Sequence, residues 1–406
     1  MSERFMSAFG IVVMLLICWA CSNNRKLIPW RVIIMGMLLQ LALGIFILNT
    51  QIGQTIFGAV GAFVTQLLDF STEGARFLFG NLVSDQSIGA IFAFKVLPTI
   101  IFVSSLMAVL YYFKIMQGVV WVMAKIMTWL MDVSGAESLS IAANVFVGQT
   151  EAPLVIRPYI EKMTNSELMV LMTGGFATIA GGVMAAYISF GIDPVHLLTA
   201  SLMSAPAALV AAKLIIPETE QSLTAGTVKI HVETPDVNSI DAAARGASEG
   251  LQLVLNVGAM LLAFLALVYL ANWILGSVGG LVGYPNLSLQ FIFGYLFSPL
   301  AWLMGIEWKE CVQAGTLIGE KTILNEFVAY LHLKDQMATL SPRTVTILTY
   351  ALCGFANFGS IGIQLGGIGA IAPSRRHDLA RLAIRALIGG TIASFLTANI
   401  AGVLIP

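Results

Sequence analysis

The stretch Asn144-Val145-Phe146-Val147-Gly148-Gln149-Thr150-Glu151-Ala152-Pro153 sets an amide, a hydroxyl and a carboxylate side by side and then closes with a proline. At membrane depth a carboxylate costs about 2.5–3.5 kcal/mol on insertion scales unless it faces a wet cavity or a partner. Gly148 and Pro153 bracket the polar run, so the backbone breaks there instead of continuing as helix. Broken backbone is tolerated inside a membrane only where protein buries it or a water-filled site uses it. The stretch therefore predicts a substrate site. The competing reading is an ordinary polar loop between two spans.

The rest of the chain supplies the membrane. Of 406 residues, 58% are hydrophobic and 11% charged, against about 25% charged in soluble domains. A mean hydropathy of +0.87 predicts an all-α, multi-pass integral membrane protein, so the lipid bilayer is its first partner. A net charge of −1 argues against nucleic acid as a partner. Cys18 and Cys21 have a CxxC spacing with no second pair, so the four cysteines read as small buried residues, not a metal site or a disulfide framework.

A span needs about 20 apolar residues. On that measure residues 6–21, 27–48 and 88–113 are the first three spans, the third bent at Pro98. Residues 51–82 and 116–131 read as helices lying at the membrane surface. Residues 136–163 are too few for two full spans at about 1.5 Å per residue, but enough for a re-entrant hairpin with Gln149, Thr150 and Glu151 at its tip. Spans follow at 167–190 and 194–215, then a polar loop at 217–238. Asn238 and Ser239 can cap a helix that starts at the interface and crosses to about residue 275. Residues 287–304 form another surface helix. Residues 308–333 repeat the odd chemistry with Glu320, Lys321, Asn325 and Glu326, and two spans, 344–364 and 379–404, end the chain. The expected units are 1–135 (scaffold spans), 136–216 (first hairpin and transport-unit spans), 217–249 (cytoplasmic loop and interfacial helix), 250–305 (sixth, scaffold span and surface helix) and 306–406 (second hairpin and last two spans). Placing both termini outside puts fourteen of the 21 basic residues on the cytoplasmic side, as the positive-inside rule favours.

Each hairpin is followed by a span with the same signature: Gly175-Phe176-Ala177-Thr178 in one half and Gly354-Phe355-Ala356-Asn357 in the other. The order of surface helix, polar hairpin and marked span recurs, and three full spans separate the hairpins, so the halves are inverted. Inverted repeats with broken helices are the architecture of secondary transporters, with the site at the repeat interface.

GQTEAP at 148–153, NEFVAY at 325–330 and CGFAN at 353–357 resemble the concentrative nucleoside transporters, in their bacterial eight-span form, over essentially the whole chain. The resemblance implies eight transmembrane helices plus two re-entrant hairpins, assembled as an inner-membrane homotrimer that takes up nucleosides on a cation gradient, without a cofactor. It implies a nucleobase site of Gln149, Thr150, Glu151 and Val183, and a ribose site of Glu326, Asn357 and Ser360 beside Phe355. It also implies a sodium site of the Asn144 and Thr178 side-chain oxygens with the Val147 and Ile179 carbonyls. Thr178 stands where sodium-coupled relatives are expected to have serine. The chemistry agrees: such polar side chains match a base edge and paired hydroxyls, and neutral oxygens suit a small alkali cation. A proton-coupled symporter is the alternative reading.

Two other classes compete. A channel needs a continuous polar stripe, whereas the polar residues here cluster at one depth. An intramembrane enzyme could use Glu151 and Glu326 as a pair, but neither has a histidine or nucleophilic serine beside it in the sequence. The chain is therefore read as a transporter and not an enzyme.

Overall fold

A computed structural model describes residues 3–84, 92–226, 236–281, 283–284 and 286–406, all helix and connection among the described residues. The first residues expected in the third span (88–91) and the loop charges Lys229, His231 and Glu233 lie outside them.

Among the described residues there are eight spans and two hairpins. The spans are Glu3–Ala20, Trp30–Asn49, Leu97–Tyr112, Asn165–Ser189, Pro194–Ile215, Ser239–Leu281, the pair Pro342–Leu352 and Phe358–Ile371, and Arg376–Leu404. Pro98 sits in the first turn of its helix, where a missing N–H costs nothing. Lys114, at φ 60°, then turns the chain by 77° into the surface helix Ile115–Met131.

The helix Gln51–Phe79 is long and apolar enough to cross a membrane, yet its contacts place it flat. Just before its start, Asn49 bonds Leu404 O; Gly61 lies against Pro194; Ser71 bonds Thr99. Those three partners are the ends of three different spans on one face of the protein, so the helix runs along that face, as its amphipathic spacing predicts.

Among the described residues, three spans form the interior. Asn165–Ser189 is buried over 89% of its most apolar stretch, and Pro194–Ile215 and the last span over 78%, against 11% for Ser239–Leu281. The first two spans pack on this interior: Gly36 fits against Val210, and Gly44 against Leu404 and Ile400. The third span packs instead on Ser239–Leu281, where a Cβ on Gly250 would lie 2.8 Å from Ile101 Cα. Small-residue contacts thus commit the first two spans and the third to different neighbours. The boundary expected at 249/250 falls inside the single helix Ser239–Leu281, whose 43 residues extend about 64 Å.

The first hairpin is fixed at its base by two capping boxes, Ser134 with Glu137 and Thr164 with Glu167. Each satisfies two N–H groups that a helix start leaves open. Lys213, at the end of Pro194–Ile215, ion-pairs with Glu137 and donates to Ser166 Oγ at 3.0 Å. The hairpin, the fourth span and the fifth are thereby joined at one end. Lys213 and Lys321 are both buried, so neither is a surface charge, and the tally of basic residues becomes thirteen against six.

Candidate functional site

Two spans expected as plain helices are broken mid-course, and the breaks build the site. In the first half, the hairpin helix Gly135–Asn144 ends at Asn144, and Asn165–Ala177 ends with Thr178 as C-cap. Both are C-termini, the negative ends of helix dipoles. They meet at Gly174: its Cβ position is 3.4 Å from Asn144 Nδ2, and Thr178 Oγ1 donates to its carbonyl at 2.9 Å. Asn144 Nδ2 donates to Ser140 O at 3.0 Å, whereas Asn144 Oδ1 is buried with no hydrogen-bond partner. Such an orphan costs about 1–3 kcal/mol. A buried acceptor beside two helix C-termini fits a cation, and Val147 and Ile179 lie in the non-helical backbone next to Asn144 and Thr178.

In the second half N-termini converge. Glu326 opens the helix Glu326–Gln336 and Asn357 caps Phe358–Ile371. Glu326 Oε1 accepts from the Tyr187 hydroxyl at 3.1 Å and Oε2 from Asn357 Nδ2 at 3.0 Å. The positive ends of helix dipoles stabilise a carboxylate, which explains a buried Glu326 that has no salt bridge among the described residues. Lys321 does not pair with it; its ammonium donates to Ala351 O at 2.7 Å, at the end of Pro342–Leu352. Tyr187 is absent from the ribose set that the resemblance implies, yet it donates to the Glu326 carboxylate. Only spacing could have found it: Tyr187 lies four residues after Val183, on the same helix face.

The halves join directly. Gln149 Nε2 donates to Ser360 Oγ at 3.2 Å, and Gln364 Nε2 donates to Gln149 Oε1 at 3.1 Å. Phe355 N donates to Thr178 O at 3.1 Å, so the two breaks cross backbone to backbone. Gly354 permits this: its φ is +151°, and a Cβ there would lie 2.8 Å from Phe176 O. Gln149, Ser360, Asn357, Glu326 and Tyr187 thus form one connected set, with Phe355 in the same break and Val183 one turn from Tyr187. Asn357 is more committed than a free ribose acceptor, because its Oδ1 accepts from Ser360 N at 2.8 Å.

Thr150 and Glu151 leave that set. Thr150 packs on Gly367, and Glu151 folds over Gly148 and is exposed. The tight turn at 147–151 carries Thr150 and Glu151 away from the Gln149 side chain. Glu151 instead lines a cavity of about 970 Å³ between Phe146, Val147 and Gly182 on one side and Ser104, Tyr111 and Leu253 on the other. At its mouth Arg245 grips Asp236 at 2.7 and 2.9 Å, and that hydrogen-bonded guanidinium holds the Asp236 carboxyl below the usual carboxylate range.

Comparison with known proteins identifies the family. Three family profiles match in chain order: Na+ dependent nucleoside transporter N-terminus at 9–82, nucleoside recognition at 93–193, and Na+ dependent nucleoside transporter C-terminus at 196–402. An uncharacterized transporter of Bacillus subtilis, YutK, is 47% identical over 98% of both chains. Rat sodium/nucleoside cotransporter 1 is 43% identical over 99% of this chain and 64% of its own length. CNTnw in an inward-facing substrate-bound state superposes with a TM-score of 0.94 at 44% identity, covering 99% of this chain and 98% of that one. A CNTnw variant in an outward-facing state gives 0.94 at 43% identity, with 99% and 97% covered. Identity along the whole chain and the matching fold agree: this chain belongs to the concentrative, Na+ dependent nucleoside transporter family.

Proposed function

We propose that the protein imports nucleosides into the cell on an inward sodium gradient, by an elevator-type movement, as a homotrimer in the inner membrane with both termini outside. The observation that carries this reading is the joining of Gln149 from the first hairpin to Ser360, Asn357 and Glu326 in the second half. A nucleoside has an aromatic edge and a diol at opposite ends, and this set offers an amide to one and a carboxylate to the other. Thr150, Glu151, Val183 and Phe355 complete the base and sugar surfaces once substrate orders them. Sodium binds at Asn144 Oδ1 and Thr178, with the Val147 and Ile179 carbonyls.

The packing supports a particular division of labour. The third span and Ser239–Leu281 form the frame. The hairpins and the interior spans move against it, carrying the first two spans with them. With the charge-based orientation, the cavity beside Glu151 opens to the cytoplasm.

Uptake of uridine into proteoliposomes tests the coupling. Accumulation should require an inward sodium gradient and vanish when choline replaces sodium; accumulation on a pH gradient alone makes the proton the coupling ion. The movement has its own test. A Cβ on Gly182 would lie 3.3 Å from Ser104 Oγ, across the boundary between unit and frame. Oxidising the pair Gly182→Cys and Ser104→Cys should arrest transport, and full transport with complete crosslinking would rule out sliding there.

A further inference from the structure

We infer that Gln364 is a positioning residue that fixes which end of the Gln149 amide meets the nucleobase, so that the site reads a hydrogen-bond acceptor on the base. The inference rests on Gln149 being a base contact. Gln364 is fully buried on Phe358–Ile371. Its amide lies 3.1 Å from the backbone carbonyl of Met172 and 3.1 Å from the Gln149 amide, through the same nitrogen.

A backbone carbonyl only accepts, so the Gln364 end that faces Met172 must be Nε2. That nitrogen also faces Gln149, so Gln149 must present Oε1 to it. The Gln149 NH2 is then left on the other side of its amide, 3.2 Å from Ser360 Oγ. A hydroxyl donates or accepts as required, so Ser360 does not contest the orientation. Polarity therefore passes from a fixed carbonyl through two amides to the site.

Turning Gln149 over would oppose two NH2 groups. Turning Gln364 over would oppose its oxygen to the Met172 carbonyl. Gln364 Oε1 is buried without a partner, and the fold tolerates that orphan because the opposite orientation sets acceptor against acceptor. Gly175 makes the meeting possible: a Cβ there would lie 2.7 Å from Gln364 Nε2 and 2.9 Å from Gln149 Cβ. Two side chains from opposite halves share the room one missing methyl leaves.

Uridine and cytidine differ at position 4, where a carbonyl acceptor becomes an amino donor, and inversely at N3, where an N–H donor becomes an acceptor; the inference places the Gln149 NH2 at position 4. Their binding to the purified protein in sodium gives a ratio of affinities, and the parent should favour uridine. Gln364→Met keeps length and removes the donor, freeing the Gln149 amide to turn. The uridine-to-cytidine ratio should then fall at least threefold toward one, with sodium affinity unchanged. Equal losses for both nucleosides, with the ratio kept, would mean that Gln364 only fills space and overturn the inference. Gln149→Ala separates the two levels of failure. If it leaves the ratio intact, Gln149 is not a base contact; if it collapses the ratio while Gln364→Met does not, only the positioning role fails. Should Gln364→Met not fold, Gln149→Glu decides. It keeps the acceptor toward Gln364 and turns the site-facing donor into an acceptor, so preference should invert to cytidine; a retained uridine preference overturns the inference.

Discussion

Gly-Phe-Ala occurs at both breaks but at opposite ends of a helix. In the first half Gly175, Phe176 and Ala177 finish Asn165–Ala177, and the polar residue that follows, Thr178, is a C-cap. In the second half Gly354, Phe355 and Ala356 lie in the break itself, and Asn357 starts Phe358–Ile371. The first break gathers carbonyl ends, which favour a cation; the second gathers N–H ends, which favour the Glu326 carboxylate. The second half has a C-terminal helix end too, at Ala351, but Lys321 already puts an ammonium on it. The corresponding place in the first half has only the Asn144 amide, with its oxygen unpaired. Similar sequence words thus yield one break whose helix ends suit a cation and one whose helix ends suit a carboxylate.

The contrast can be broken most forcefully at Glu326. Glu326→Gln removes the charge and keeps the size, and a charge-assisted bond is worth about 1.5–3 kcal/mol. Ribonucleoside affinity should fall about 10–150-fold, measured by calorimetry, with sodium affinity little changed. A nucleoside lacking the contacted hydroxyl should lose far less, since its coupling to the mutation is near zero. Equal losses for both would make Glu326 a structural carboxylate.

Asn144→Ala is the reciprocal change. The sodium concentration for half-maximal uridine uptake should rise about tenfold, for a loss of about 1.4 kcal/mol, with the ranking of nucleosides kept. Unaltered sodium dependence would remove the cation from this break. Tyr187→Phe is milder: it takes one donor from Glu326, and affinity for ribonucleosides should fall about fivefold, for about 1 kcal/mol. A larger loss than that of Glu326→Gln would make the hydroxyl, and not the carboxylate, the sugar contact. Thr178→Ser sharpens the first site. Serine can make the same bond to the Gly174 carbonyl that Thr178 makes at 2.9 Å, so sodium dependence should shift by less than about twofold. A tenfold gain in sodium affinity would show that the threonine methyl crowds the ion.

Much of this was legible from residue order. Apolar runs about 20 residues long announce spans, because backbone polar groups in lipid must be satisfied within helices. The polar clusters at 149–151 and 325–326 announce hairpins because charge at that depth demands a use. The breaks inside the fourth and seventh spans were less legible. Gly175-Phe176-Ala177 is good helix-compatible sequence, and what ends the helix there is the crossing with the other half, where Phe355 N reaches Thr178 O.

The sequence by itself determined the membrane class, the inverted halves, the two hairpins and the polar residues available for chemistry, since hydropathy and order are properties of the chain. Only the tertiary structure decided which of those residues meet. Gln149 and Gln364 are 215 positions apart and Tyr187 and Glu326 are 139 apart, and no local spacing rule reaches across such distances. Thr150 and Glu151 adjoin Gln149 in the chain yet face elsewhere, because the tight turn at 147–151 carries them away from its side chain. The polarity of each break is tertiary as well: whether a polar residue ends one helix or begins the next depends on where the opposite half presses against the backbone.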